Sequence, residues 1–461
     1  MLPTVNRTSM PAQRSHRGSL AFVTGALASV LALAATGVTA SEATFSGVDT
    51  AAVVHAASSS ASRHVAHASG AVHSRQHAQA TGANVTDLSA ALPDPGTVLP
   101  RFSPVYMGTH WSMTEAQAVT IAQEFDVIAA QANVFPKYVS AMKAANPNLR
   151  IVAYINGTFD LRSGGTSYPA SWYETSSAGA RIQSQFGNYL LDPGNTSWEQ
   201  NVAQQCTAAI AKSHYDGCFV DTLGTAPLDP GYVTGLPMDP STHAVWSGTQ
   251  WLDATTAIAA AVQVANPGAL VIANGLANGA KYFSTTGATS QLLGPSGAAM
   301  AELWLRAPGA GVTQYPTVAK WLANVNMLVN AEANDQSILT TTKLWVTATA
   351  AQQAQWHEFA LSSFLLGADG HSYFSFLEDR SNTAIVQDYA WDHVNIGTPL
   401  GAFSQNGNLY ERSFTNGIVA VNPNSTPATI TFAGNYVNLD GTVVTSETLA
   451  PDSGDVFLQQ G

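Results

Sequence analysis

From Arg101 onward, short runs of β-branched and aromatic residues alternate with longer Ala-rich amphipathic stretches. Parallel strands are buried on both faces, so they read as continuous apolar runs, and each needs a crossover helix before the next. Few layouts satisfy that alternation. Eight runs fit the strand pattern, at 104–108, 127–131, 150–156, 217–221, 269–274, 300–305, 326–330 and 372–376. Stretches with helical spacing lie between them, among them 114–124, 198–212, 251–265 and 350–366. Eight such units predict an α/β fold, a (β/α)8 TIM barrel over residues 100–396. A doubly wound open sheet is the competing layout, but it usually carries a Gly-rich phosphate turn, and none follows any of these runs.

Both flanks differ in texture. After Gly397, runs at 410–414, 417–421, 428–432 and 455–458 are divided by Asn-Gly, Asn-Pro and Asp-Gly turns, which predicts a small antiparallel β-sandwich-like domain over 397–461. Packing against the barrel is the favoured role for this module over independent sugar binding. At the other end Arg7, Arg14, His16 and Arg17 precede an apolar run from Leu20 to Val38 and the small residues Val38-Thr39-Ala40. Residues 1–40 therefore read as a secretory signal peptide and the protein as secreted. An uncleaved anchor is the alternative, although Thr24, Gly25, Ser29, Thr36 and Gly37 dilute the run. Residues 41–99 are Ala, Ser, His and Gly with too few large apolar side chains to offset chain entropy, and read as a disordered linker. Six of the twelve histidines fall at or before His77, which makes a weak metal-binding tract conceivable, with a plain solvated spacer the simpler account.

Charge narrows the function classes. Eighteen basic and thirty acidic residues give a net charge of −12, which argues against a nucleic-acid partner. Beyond residue 100 the count is thirteen basic against twenty-six acidic, so the folded part is the acidic part, and a polyanionic substrate is disfavoured. Neither stable membrane insertion after signal cleavage nor an oligomer is called for. No CxxC or HExxH spacing occurs, so no metal and no cofactor are expected. The two cysteines, Cys206 and Cys218, fall on a helix and the strand after it. A disulfide and two buried thiols both remain open.

In a barrel of this kind, chemistry belongs at the C-terminal ends of the strands. Asp221 ends the apolar run Cys218-Phe219-Val220, and Glu302 sits within Met300-Ala301-Glu302-Leu303-Trp304. A carboxylate among apolar neighbours holds its proton more tightly. Two carboxylates at one barrel mouth suit glycoside hydrolysis, with Asp221 as nucleophile and Glu302 as general acid and later base. Glu332, read as ending the seventh strand, is the next candidate acid, and Asp192 reads as a loop or helix-cap residue. The alternative is that Asp221 caps a loop and Glu302 is a buried partner of Arg306 or another base. For substrate binding the expected set is His110 and Trp111 after the first strand, Tyr154 and Asn156 ending the third, Asn274 ending the fifth, Trp304 and Arg306 on the sixth, and Tyr373 on the eighth. Aromatic faces stack on pyranose rings, and the polar groups bond their hydroxyls. Loops after the third and fourth strands add Tyr168, Trp172, Tyr173, His243 and Trp246.

Four segments carry a family resemblance. Leu190-Leu191-Asp192-Pro193-Gly194, Tyr215-Asp216-Gly217-Cys218-Phe219-Val220-Asp221, Ile272-Ala273-Asn274-Gly275 and Met300-Ala301-Glu302 stand in the order and spacing of hypothetical glycosyl hydrolase family 15. The chain resembles that family from about Phe102 to Leu458, including Tyr410-Glu411-Arg412-Ser413-Phe414 in the C-terminal module. The family in turn is similar to endo-α-1,4-polygalactosaminidase barrels, whose fourth strand also ends in Asp-Gly-x-x-x-Asp, and more distantly to dextranase-like and α-galactosidase-like barrels. The resemblance implies an Asp on the fourth strand and a Glu on the sixth as the catalytic pair, and a carbohydrate substrate. Retention and inversion both stay open, to be decided by the separation of the two carboxyls, with retention favoured by analogy with barrels that place an Asp nucleophile on the fourth strand. A catalytically silent carbohydrate-binding barrel and a wall-associated structural protein stay open as alternatives.

Overall fold

The structure, a computed structural model, describes residues 99–107, 112–162, 164–307, 309–378 and 389–460. The leader readings, and His110 and Trp111, lie outside the described residues.

Seven parallel strands form one sheet in sequence order: β1 (Phe102–Ser103), β2 (Val127–Ala130), β3 (Arg150–Asn156), β4 (Gly217–Asp221), β5 (Leu270–Asn274), β6 (Ala298–Ala301) and β7 (Ser337–Thr340). The eighth position is taken by Tyr373 and Phe374, which bridge Leu339 of β7 and Arg101 beside β1 in parallel. Phe102 N donates to Phe374 O at 2.9 Å and Tyr373 N to Ile338 O at 2.9 Å, so the ring of strands closes. Above this seam β8 (Thr342–Lys343) pairs in parallel with β9 (Phe376–Leu377).

Alternation along each strand divides the core. Phe102, Val127, Ala129, Val152, Phe219, Ile272, Met300 and Leu339 fill the barrel interior. Their neighbours, such as Ile128, Ile151, Val220, Val271 and Ile338, face the outer helices. Those helices are α1 (Glu115–Glu124), α2 (Val139–Ala145), α3 (Thr196–Ser213), α4 (Gly248–Ala265), α5 (Val318–Glu332) and α6 (Ala350–Gly367). Thr114, Ser247 and Thr349 start α1, α4 and α6 with full capping boxes, each with a Gln at the third helical position. Among the described residues no helix is long and apolar enough to cross a membrane.

The expected seventh strand is wrong. Residues 326–330 lie inside α5, and the strand is Ser337–Thr340. A short apolar run cannot be assigned by itself, and here Trp321, Val325, Leu328 and Ala331 recur at helical spacing behind the cap Thr317. β1 also starts earlier than expected and stops before Pro104, which has no N–H to give a ladder. β6 stops at Ala301, one residue before Glu302.

Cys206 of α3 and Cys218 of β4 are joined in a disulfide with Cα atoms 5.9 Å apart, which settles that alternative. It ties the helix to the strand that ends in Asp221.

The C-terminal strands β10 (Ser404–Asn406), β11 (Leu409–Phe414), β12 (Gly417–Asn422), β13 (Ala428–Val437), β14 (Val443–Leu449) and β15 (Ser453–Gln459) form one antiparallel sheet in the order β10-β11-β12-β15-β13-β14. Tyr410, Phe414, Val419, Val421 and Val456 join the core shared with the barrel's helices. Buried Arg412 clamps the end of α6, donating to Leu365 O at 3.1 Å, Ala368 O at 2.5 Å and Asp369 Oδ1 at 3.2 Å. A guanidinium there satisfies carbonyls that the helix leaves free.

Candidate active site

Asp221 ends β4 and is buried. The next residue, Thr222, turns into the left-handed region at φ 63°, which folds its own N–H back onto Asp221 Oδ1 at 2.8 Å. Tyr154, two residues before the end of β3, donates its hydroxyl to Asp221 Oδ2 at 2.8 Å. Asn156 ends β3 and donates to Tyr154 Oη at 3.3 Å and to Thr222 Oγ1 at 3.2 Å, while its own Oδ1 accepts from Phe159 N at 2.7 Å. Asn274, which ends β5, has the central place: its Nδ2 donates to Asp221 Oδ1 at 2.7 Å and to Glu302 Oε2 at 2.9 Å. The other Glu302 oxygen accepts from Lys343 Nζ.

Backbone contacts hold these ends in register. Leu223 N donates to Asn274 O at 2.8 Å. A Cβ on Gly224 would lie 2.3 Å from Gly275 O, so only glycine lets the loops after β4 and β5 meet. The cleft above the pair is lined by Pro104, Val105, Met107, Trp345 and Leu377 with Tyr154, Asp221, Asn274, Glu302 and Lys343.

Burial, and then the charge of Glu302, push the Asp221 carboxyl up to about 6, while the bonds from Tyr154, Asn274 and Thr222 act the other way. Burial and the charge of Asp221 raise the Tyr154 hydroxyl well above its ordinary 10, so it stays a donor. Tyr232, in the loop after β4, is raised by burial and by the charges of Asp221 and Glu302, which places its hydroxyl in the field of the pair.

Of the expected binding residues, Tyr154, Asn156 and Asn274 converge on Asp221. Three others do not reach the cleft. Trp304 is fully buried and points outward, its Nε1 donating to Asn324 O of α5 at 3.3 Å and its ring set edge-on against Phe364 of α6. Leu305 at φ 60° turns the chain there. Arg306 is spent on loop carbonyls, with Nε to Leu344 O at 3.2 Å and Nη1 to Gly311 O at 3.1 Å, and it lies over the Trp356 ring. It is therefore not the partner of Glu302, which is Lys343. Tyr373 is packed in the barrel interior with Phe102 and Leu339. Glu332 is corrected with its strand. It lies in the last turn of α5, accepting from His371 N at 2.9 Å, at the barrel end opposite the mouth. Asp192 accepts from Gly194 N at 2.8 Å in the turn before Asn195, which caps α3.

The long loops after β3 and β4 pack on one another, and on Trp251 of α4, through Phe159, Ile182, Leu190 and Trp246. Tyr168 and Trp172 stack there with centroids 5.6 Å apart, and Tyr173 donates to Asp160 Oδ2 at 2.7 Å. The loops also bury Glu174. Its Oε1 accepts from Trp246 Nε1 at 2.8 Å, and its Oε2 has no hydrogen-bond partner among the described residues. Burial, then the charge of Asp192, raise this carboxyl to about 8. The folded chain thus keeps a proton that the unfolded chain, with a Glu near 4.3, has lost at neutral pH. This stabilisation is complete below about 4.3 and is lost as pH climbs through about 8. Glu174→Gln, which cannot ionise, should therefore raise the melting temperature at pH 8.5 relative to pH 5, with a difference between the two pH values of a few kcal/mol at most. An equal effect at both pH values would contradict it.

A family model described as hypothetical glycosyl hydrolase family 15 matches residues 143–418, more than half of the chain. No curated protein matches. Among solved structures, the glycoside hydrolase domain of PelA from Pseudomonas aeruginosa is similar at 17% identity and a TM-score of 0.40, over 61% of this chain and 94% of that one. An alpha-amylase from Geobacillus thermoleovorans complexed with acarbose is similar at 8% identity and a TM-score of 0.46, over 79% and 99%.

Proposed function

Since the chain belongs to hypothetical glycosyl hydrolase family 15, we propose that it is a secreted glycoside hydrolase that cleaves O-glycosidic bonds of a polysaccharide with retention, Asp221 acting as nucleophile and Glu302 as acid and base. The observation that carries this reading is the shared Asn274 amide. Contacts of 2.7 and 2.9 Å to one nitrogen keep an oxygen of each carboxyl within the sum of those two lengths of one another, short of the about 6.5 to 9.5 Å that an inverting water needs.

The carboxylate of Asp221 attacks the anomeric carbon as the bond to the leaving oxygen breaks, and Glu302 gives that oxygen its proton. A glycosyl ester of Asp221, a free alcohol and a Glu302 carboxylate result. Glu302 then takes a proton from water, whose oxygen attacks the same carbon and frees the Asp221 carboxylate, leaving Glu302 protonated again. Tyr154, Asn156 and Thr222 N–H hold Asp221 ready for attack, since donors aimed at a carboxylate favour its charged form. In this reading His110, Trp111 and Asn274 bind the sugar. The secretory reading rests on the basic and apolar N-terminal residues, and the catalytic unit is assigned to 100–396 with 397–461 as its β-module.

The test is a panel of purified polysaccharides assayed for reducing-end release, with Asp221→Asn as blank. On the first substrate found, proton NMR within minutes of mixing should show the anomer of the substrate before mutarotation. The opposite anomer appearing first would overturn retention, and binding without release by the unsubstituted protein would favour a silent barrel.

A further inference from the structure

Lys343 has no place in the sequence reading, yet it is the one cation among the described residues lining the cleft. It stands on β8, in register with Leu377 of β9, just beyond β7. Its side chain is 6% exposed, and its ammonium donates to Glu302 Oε1. The same nitrogen lies 4.5 Å from the centroid of the Trp345 ring. Trp345 reaches that position through a left-handed backbone, φ 42°, held by Leu344 N to Leu377 O at 2.8 Å and Trp345 N to Glu378 O at 3.0 Å. A bulky residue there is strained. A desolvated ammonium paired to a single carboxylate is also costly. The strain falls on Trp345 and the desolvation on Lys343, the group that touches Glu302.

The groups facing Glu302 are Asp221 of β4, Asn274 of β5 and Lys343 of β8, with Tyr154 of β3 and Tyr232 in the field. Both of its oxygens are occupied, Oε1 by the ammonium and Oε2 by Asn274. An ammonium can only donate, so a carboxyl proton cannot sit between it and Oε1. The amide nitrogen fills only one of the lone pairs on Oε2, and Oε2 is on the side of the nucleophile.

We infer that Lys343 is a positioning residue for Glu302: it holds one carboxyl oxygen and confines the transferable proton to the oxygen beside Asn274. The inference rests on the carboxylate-pair reading above. In the first half-reaction the ammonium offsets the negative charge that Glu302 acquires on giving up its proton. In the second it keeps that carboxylate aimed at the attacking water.

The experiment compares the unsubstituted enzyme, Lys343→Met, Lys343→Gln and Lys343→Arg on the polysaccharide that the panel identifies and, for the first step alone, in the burst on an aryl glycoside with an acidic phenol. The Met and Gln variants should lose at least about tenfold on the polysaccharide, whose leaving alcohol needs the placed proton, and little in the burst, whose leaving group needs none. The Arg variant should keep the polysaccharide rate. The Gln variant retains a donor without the charge, so it gives the answer even if the Met variant does not fold. An equal loss on both substrates would overturn the inference and leave Lys343 a packing residue. Failure of the unsubstituted enzyme to release sugar from any polysaccharide would instead overturn the glycosidase reading, and this inference with it.

Discussion

Asp221→Asn should lower reducing-end release by roughly 10³-fold or more, because the substitution removes the charge from the group proposed to attack and form the glycosyl ester. The loss should fall on kcat with KM little changed. Asn keeps the volume of Asp221: with its carbonyl in the place of Oδ1 it still accepts from Thr222 N–H and Asn274, and its amide nitrogen, in the place of Oδ2, can donate to Tyr154 Oη. Unfolding is therefore a poor explanation for such a loss, and an unchanged melting temperature is the control. A variant that retains most of the activity would show that Asp221 is only a capping carboxylate at the end of β4.

Glu302→Gln should cost roughly 10² to 10⁴ on a polysaccharide, whose leaving alcohol needs a proton. On an aryl glycoside with an acidic phenol the first step needs no acid, so the loss should shrink there and the glycosyl-enzyme should accumulate as a burst. An equal loss on both substrates would contradict the acid role. Burial first, and then a charged Glu302, raise Asp221 to about 6, and the proposed nucleophile works only when ionised. The rate of the unsubstituted enzyme should therefore fall as pH drops through about 6.

Much of this site is legible in the sequence because the strands that carry it are unambiguous. The run Gly217 to Asp221 is apolar, short and preceded by a turn, so its last residue lands at the barrel mouth, and the same holds for Asn156 and Asn274. Trp304 and Arg306 mislead for a local reason. β6 ends at Ala301, and the left-handed turn at Leu305 sends the following side chains outward to the helices and into their own loop. A strand read as running through Leu305 cannot show that. Lys343 was hidden by the seventh strand. With the strand placed at 326–330, Lys343 falls well beyond it in a loop, whereas with β7 at Ser337–Thr340 it stands where barrel residues reach the mouth. The apolar pattern of α5 is locally as strand-like as β7 itself, and only the buried positions Trp321, Val325 and Leu328 over a longer window separate them. Tyr232 carries no local signal, since its place depends on how two long loops fold over each other.

The central claim is that Asp221 forms a covalent bond to the sugar. The most direct measurement is incubation with a 2-deoxy-2-fluoro glycoside of the sugar found in the panel, carrying a good leaving group, followed by intact and peptide mass spectrometry. The fluorine slows both half-reactions by destabilising the oxocarbenium-like transition state, and the good leaving group restores the first, so the ester accumulates. The account predicts one added glycosyl mass, on the peptide that contains Asp221, and none in Asp221→Asn. A label on another residue, or steady turnover of the natural substrate with an inverted product and no label at all, would contradict it.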